Sequence, residues 1–350
     1  MIIGITGYGG TGASAYIDLL KEYSDVQSYA SAMEFQLLQQ PDGILDLYFN
    51  LVSSRRRLSS NTAITRFKRN MSNPRNLHIL KSTNGKASRL TDEYINELIQ
   101  VSWRGYSLYD PNDIRAKGDN AQLQTFNRII RKILSKVNRN WHWPIHRDRF
   151  FSILDEGAFV EKTHDYLTDI LTASGFDMNK PILLEQVFNT SNPADGMVFF
   201  DDPYSIVVDR DPRDVFILTN FVLKRLSGYM PHGGNVKDFV KYFRALHTEQ
   251  SRDPRVRYVR YEDLIYHYEE TASQLCQWLG LQHVKKGEFF KPEYSINNTQ
   301  MYLKYPDQAE SIAYIEREMA DLLYPFDEAK ESITFTPVET NFFHIQPKTK

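Results

Sequence analysis

The sequence predicts an α/β protein, a three-layer sandwich with a central parallel sheet and a helical insertion. Three observations predict it. Short apolar runs at MIIGIT, PILLEQVF, SIVVDR and VRYVRYEDL have the length and composition of buried parallel strands. They are separated or followed by helical patterns such as VKDFVKYFRALHTEQ and EETASQLCQWLGL. Two of the runs end in polar turns, GYGGTG and DRDPRD, and in open α/β sheets the carboxyl ends of strands are where ligands bind.

In chain order, MIIGIT reads as a strand, GYGGTG as a tight loop, and the segment from Ala13 to about Glu22 as an amphipathic helix. The following stretch YSDVQSYASAMEF does not read as a strand. From about 41 to 155 the chain reads as helical, with TDEYINELIQVSW and AQLQTFNRIIRKILSKV carrying apolar residues three and four apart, and no second sheet is evident. The sheet signals then resume. Residues 1–330 are expected to form one α/β domain around this insertion, and 331–350 a polar tail with little periodicity.

Composition narrows the function classes. The 350 residues carry 42 basic and 44 acidic side chains, so no global charge draws the chain to nucleic acid or a membrane surface. The lone cysteine, Cys276, excludes a disulfide framework and a cysteine-rich metal site, and sits in an apolar helical pattern that reads as core. No metal is expected. No apolar run approaches the roughly 18–20 residues of a membrane span, and a signal peptide's basic flank and long apolar segment are missing at the amino terminus. A cytoplasmic protein is expected, complete at the end where Met1 leads into a strand.

The turn after SIVV holds Arg210, Pro212 and Arg213 among Asp209, Asp211 and Asp214. Arginine presents a fixed fork of donors matched to phosphate or carboxylate oxygens, which makes this strand end a candidate anion site. The alternative is surface ion pairing between the arginines and those aspartates. GYGGTG at 7–12 fits a dinucleotide fingerprint, and its extension to Ser14 fits the phosphate loop GxxxxGK[ST] with Ala13 in the lysine's place. Either way, glycines let backbone amides approach an anion at a helix amino terminus. The dinucleotide reading lacks a convincing second strand with its acidic end. A kinase or ATPase reading lacks the lysine and an acidic strand end for magnesium.

Four separated motifs together resemble the sulfotransferases that use 3′-phosphoadenosine 5′-phosphosulfate (PAPS), particularly bacterial enzymes acting on carbohydrates. TGAS at 11–14 resembles that family's 5′-phosphosulfate loop. DRDPRDV at 209–215 resembles its 3′-phosphate motif, VRYEDLI at 259–265 with LGL at 279–281 the segment that follows, and VEKTHDYL at 160–167 its EKTP segment. The resemblance implies a P-loop nucleoside-triphosphate-hydrolase-like sulfotransferase fold. It also implies a donor site formed by Gly9, Gly10, Thr11, Gly12, Ala13, Ser14 and Arg210, with PAPS as co-substrate. The family's serine eight positions after the motif arginine falls on Leu218, so its hydroxyl role passes to Thr219. The loop lysine or arginine is replaced by Gly10, and NNTQMYLK at 297–304 matches the family's basic glycine-containing element too weakly to carry any role over.

Sulfonate transfer needs an in-line acceptor hydroxyl and stabilised charge on the leaving oxygen. The resemblance makes Lys162 the replacement for the absent loop cation, with a solvated lysine paired to Glu161 as the alternative. Asp18 falls where glycosaminoglycan sulfotransferases carry a catalytic glutamate and ranks first as general base; an ordinary acid in a helix's first turns is its alternative. His164, in the place of the EKTP proline, ranks next, and Glu34 in MEF third. Between Asp46 and Asp92 no acid occurs, while Arg55, Arg56, Arg57, Arg66, Lys68, Arg69, Arg75, Lys81, Lys86 and Arg89 give ten cations. A second basic run, with Arg131, Lys132, Lys136, Arg139 and Arg147, surrounds Trp141 and Trp143. Such linings suit an anionic saccharide. A solvated helical face is the plain alternative, and no nucleic-acid-binding module is recognised. The reading is a PAPS-dependent carbohydrate sulfotransferase serving polysaccharide or glycolipid precursors, against a P-loop kinase or a non-catalytic nucleotide-binding module.

Overall fold

The computed structural model describes residues 1–23, 25–29, 33–72, 76–105, 129, 132–133, 136, 147–223, 235–282, 287–329 and 333–340. In chain order these hold β1 (Ile2–Gly7), α1 (Ala13–Leu20), β2 (Gln27–Ser28), α2 (Ile44–Tyr48), α3 (Ser60–Met71), α4 (Leu77–Ser82), α5 (Ala87–Leu98), β3 (Val101–Gly105), β4 (Arg147–Phe151), α6 (Glu156–Ala173), β5 (Ile182–Glu185), β6 (Pro203–Asp209), α7 (Pro212–Ile217), α8 (Val236–Leu246), β7 (Val256–Arg260), α9 (Tyr268–Leu279) and α10 (Ala309–Glu318). They fall into two compact units, Met1–Gln39 with Phe176–Lys350, and Gln40–Gly175.

The first unit is built on a five-stranded parallel sheet in the order β2-β5-β1-β6-β7. All four apolar runs become strands, and the stretch that did not read as one contributes the two-residue edge β2. β1 lies at the centre, pairing Ile5 with Glu185 on one side and Gly7 with Val208 on the other. Strand alternation sends Ile3, Ile5, Leu183, Ile206 and Val208 to one face, where they pack with Tyr16, Leu19 and Leu20 of α1 and Ala272, Leu275 and Leu279 of α9. Each such aliphatic side chain removed from water contributes about 1.5–3 kcal/mol. On the opposite face a Cβ at Gly4 would lie 2.3 Å from the ring of Phe188 and 2.6 Å from Val187. Glycine at position 4 is what lets that ring lie directly on β1, where it also meets Phe200 edge-on at 5.8 Å.

The second unit packs α3, α5 and α6 through aromatic contacts: Phe67 meets Tyr94 at 5.9 Å, and Tyr94 stacks on Tyr166 at 4.3 Å. The phenol of Tyr94 bonds Thr163 and that of Tyr166 bonds Thr91, so each buried hydroxyl is satisfied. The expectation of an insertion without a second sheet is corrected here. The TDEYINELIQVSW helix stops at Leu98, and Val101–Gly105 pairs antiparallel with Arg147–Phe151. Val101 and Trp103 favour strand, but their partner lies far along the chain, beyond any local pattern. Side chains in the first turn of α3 anchor the pair, Ser60 accepting the amide of Ser152 and Asn61 that of Phe150. Arg131, Arg139, Trp141 and Trp143 lie outside the described residues. Among the described residues no helix is long and apolar enough to cross a membrane.

Candidate functional site at the carboxyl ends of β1, β5 and β6

The loop that leaves β1 is shaped by glycine. Gly9, Gly10 and Gly12 all have left-handed backbones, with φ of 90°, 71° and 90°. A Cβ on Gly12 would lie 2.4 Å from the Tyr261 ring, and one on Gly10 3.2 Å from the Thr219 methyl. No side chain caps α1, and its first turn carries no acid, so the positive end of the helix opens toward the loop. Ser14 is exposed there, while Thr11 is buried with a hydroxyl that has no hydrogen-bond partner. Tyr8 anchors the loop's other end by stacking on His247 at 4.1 Å, and His247 lies 3.2 Å from Asp209 at the end of β6.

Arg210 follows β6 directly and is 2 % exposed. Its Nη1 donates to the carbonyl of Gly10 at 3.2 Å, its Nη2 to the carbonyl of Asn298, and its guanidinium lies 4.5 Å from the centre of the Tyr261 ring. Nε is buried without a partner, and no carboxylate lies within ion-pair distance of this guanidinium among the described residues. A buried cation in that condition costs several kcal/mol unless an anion joins it, roughly the effective desolvation penalty of one ion. The two acids that influence it electrostatically are pushed toward neutrality by burial, Asp214 to about 7 and Glu262 to about 8.

The neighbouring charges are structural. Asp211 accepts the Arg213 amide, both ends of its guanidinium fork and the Tyr324 amide. Arg213 also pairs with Glu316 at 2.9 Å. Asp214 accepts the amides of Gln300 and Tyr302, and Glu262 that of Asp211. The ion-pair alternative therefore describes Arg213, and the anion site is left to Arg210. Asp211 is the N-cap of α7 and Pro212 its first residue, which fixes the helix start. Past Ile217 the helix widens into a π-turn, Leu218–Val222, a form common at functional sites. Thr219 lies on that turn beside Gly10, but its hydroxyl donates to the Val215 carbonyl at 2.8 Å. A phosphate oxygen only accepts, so Thr219 must release that bond to serve one.

Carboxyl groups gather at the end of β5. Glu185 is its last residue, Glu34 bridges to it in parallel register, and Asp18 of α1 is half-exposed and 3.3 Å from Lys21. Burial, then the charge of Glu34, pushes Glu185 up to about 7, with Lys21 opposing. Burial also raises Asp18, against Lys21. Asp18 and Glu34 are thus brought together around Glu185, which the sequence reading missed. Its signal was a carboxylate closing the apolar run PILLE. Lys162 and His164 belong to the other unit, on α6: Lys162 is half-buried, and His164 lies 3.3 Å from Asp165.

A model described as the sulfotransferase family matches residues 89–285, more than half of the chain, and the chain belongs to that family. The matched span contains Glu185, Arg210 and Thr219 and begins after the glycine loop. Among solved structures, the sulfotransferase domain from the curacin biosynthetic pathway is similar at 14% identity and a TM-score of 0.35, covering 83% of this chain and 77% of that one. No curated protein matches the chain.

Proposed function

We propose that this sulfotransferase moves the sulfonate group of PAPS to a hydroxyl of a carbohydrate acceptor. The observation that carries the reading is Arg210, a buried guanidinium with an unpartnered Nε, held against a loop of left-handed glycines at an uncapped helix end. Two anion sites side by side suit a nucleotide with phosphates at both ends. The loop amides and Ser14 take the 5′-phosphosulfate, and Arg210 the 3′-phosphate. Its contact with the Gly10 carbonyl also brings positive charge to the loop whose lysine is missing. The donor supplies an electrophilic sulfur on a good leaving group. The acceptor oxygen bonds to that sulfur as the bond to the bisphosphate breaks, and the acceptor's proton goes to the Glu185 carboxylate, with Asp18 and Glu34 beside it. A base with a pKa near the working pH suits this transfer and typically contributes about 10²- to 10⁴-fold. On this reading residues 1–330 act as one catalytic domain carrying its insertion, and the protein works in the cytoplasm on polysaccharide or glycolipid precursors.

The test is transfer of sulfur-35 from labelled PAPS to a panel of neutral and acidic oligosaccharides, beside thermal shift with adenosine 3′,5′-bisphosphate and with ATP–magnesium. A ligand at 100 times its Kd adds about 2.7 kcal/mol of stability. Label on a saccharide is the expected result. Stabilisation by ATP–magnesium alone would replace this reading with a kinase, and bisphosphate binding without transfer to any acceptor would replace it with a nucleotide-binding module.

A further inference from the structure

The unit Gln40–Gly175 holds a cavity of about 760 Å³, within the range of small-molecule sites, whose walls include Asp42, Asp46, Arg56, Arg57, Thr62 and Arg66. Its charges are unevenly used. Asp46 accepts the Asp42 amide in the first turn of α2, and Asp42 lies 3.8 Å from Arg66. Arg56 and Arg57 are exposed and have no ion pair among the described residues. Beside them begins α3, twelve residues long, with no acid in its first turn and no capping side chain. Ser59 donates instead to the Arg56 carbonyl, and Ser60 and Asn61 are turned to the amides of Ser152 and Phe150. Two free guanidinium groups and a helix's positive end therefore share one wall, a combination matched to a carboxylate or sulfate.

The rest of the lining defines what carries that anion. Asn50 and Thr62 offer polar contacts for hydroxyls, and Leu47, Leu58 and Ala63 an apolar strip for the C–H face of a sugar ring. Among the described residues no aromatic lines the cavity, so they offer no stacking platform of the kind that single-stranded nucleic acid uses. We infer that this cavity binds an acidic saccharide, a uronate- or sulfate-bearing sugar whose anion is held by Arg56 and Arg57. That this saccharide is the sulfonate acceptor rests on the function proposed above; the binding site itself does not.

The test uses the full chain and tri-galacturonate as probe, measured by isothermal titration calorimetry at two salt concentrations. Its methyl ester serves as the neutral control and oligo-dT as the nucleic-acid control. Tri-galacturonate is expected to bind the wild type, and the ester at least about tenfold more weakly. Arg56→Ala with Arg57→Ala should weaken tri-galacturonate by about 10²-fold, given two charge-assisted contacts. Arg89→Ala with Lys68→Ala removes the same charge outside the lining, from residues paired to Glu93 and Asp92, and should change affinity less than about threefold. Equal binding of acid and ester, equal loss in both double variants, tighter binding of oligo-dT, or no saccharide binding overturns the inference. Adenosine 3′,5′-bisphosphate, titrated in parallel, separates the two claims. Its failure to bind removes the donor-site reading and leaves this one standing on the saccharide data.

Discussion

Replacing Arg210 by methionine separates a ligand clamp from a structural strut. In the ligand-free protein the substitution removes hydrogen bonds to the carbonyls of Gly10 and Asn298 and the contact with Tyr261. Removing the donor from two part-buried carbonyls costs up to about 1–3 kcal/mol each. Against that, the substitution removes a buried cation with no carboxylate at ion-pair distance, and the desolvation penalty of such an ion is still several kcal/mol. The two contributions are of similar size and opposite sign, so stability should change by less than about 2 kcal/mol. Binding has no such offset. Losing two charge-assisted hydrogen bonds to a phosphate, at about 1.5–3 kcal/mol each, predicts a 10²- to 10⁴-fold weaker Kd for adenosine 3′,5′-bisphosphate. Urea unfolding reads the first quantity and calorimetric titration the second. A variant destabilised by more than about 4 kcal/mol that still binds the bisphosphate with unchanged Kd would show that Arg210 is a strut and that the reasoning is wrong.

Gly12→Ala should destabilise the fold by about 2–5 kcal/mol, combining left-handed strain with a Cβ 2.4 Å from the Tyr261 ring; a loss under about 1 kcal/mol in urea would contradict the loop geometry. Glu185→Gln should keep bisphosphate affinity and lower kcat by about 10²- to 10⁴-fold, and the rise of kcat/KM through pH 7 should vanish with it; an unchanged pH profile would return the base role to Asp18 or Glu34. Burial raises the Glu262 carboxyl to about 8 and Asp214 to about 7, so their contribution to stability is fully present below their unfolded pKa values near 4 and is lost as pH rises through 7 and 8. Unfolding free energy should therefore decline from about pH 4 to 8, with a flatter upper part in Glu262→Gln; a wild-type curve rising across that window would reverse the sign.

The parallel sheet was legible because a strand buried on both faces writes a continuous apolar run, as β1, β5 and β6 do, while β7 at the far edge was read from its β-branched and aromatic residues, VRYV. Edge strand β2 was not, since two residues carry no pattern, and β3 with β4 was hidden by the distance to its partner. Arg210 and the glycine loop were legible for a chemical reason: few residue types suit a phosphate at a strand end, and the turn concentrates them. Which of Arg210 and Arg213 stays free was open in the sequence, because it depends on Glu316 and Tyr324, over 100 residues away, closing the Asp211–Arg213 pair. Glu185 carries no motif, and its raised pKa comes from burial and from Glu34, a neighbour only once the sheet is assembled. EKTH at 161–164 was legible only as a resemblance. Its letters sit inside the 18-residue helix Glu156–Ala173, within the span matched by the family model.

The central claim, that Arg210 clamps a 3′-phosphate, is tested most directly by a two-by-two affinity cycle. Adenosine 3′,5′-bisphosphate and adenosine 5′-monophosphate are titrated into wild type and Arg210→Met, all in EDTA. If the guanidinium and the 3′-phosphate are partners, removing either weakens binding by at least about 10²-fold, and removing both weakens it little further, giving a coupling energy of at least about 2.7 kcal/mol. Additive losses, or equal affinity of the wild type for the two nucleotides, would contradict the account.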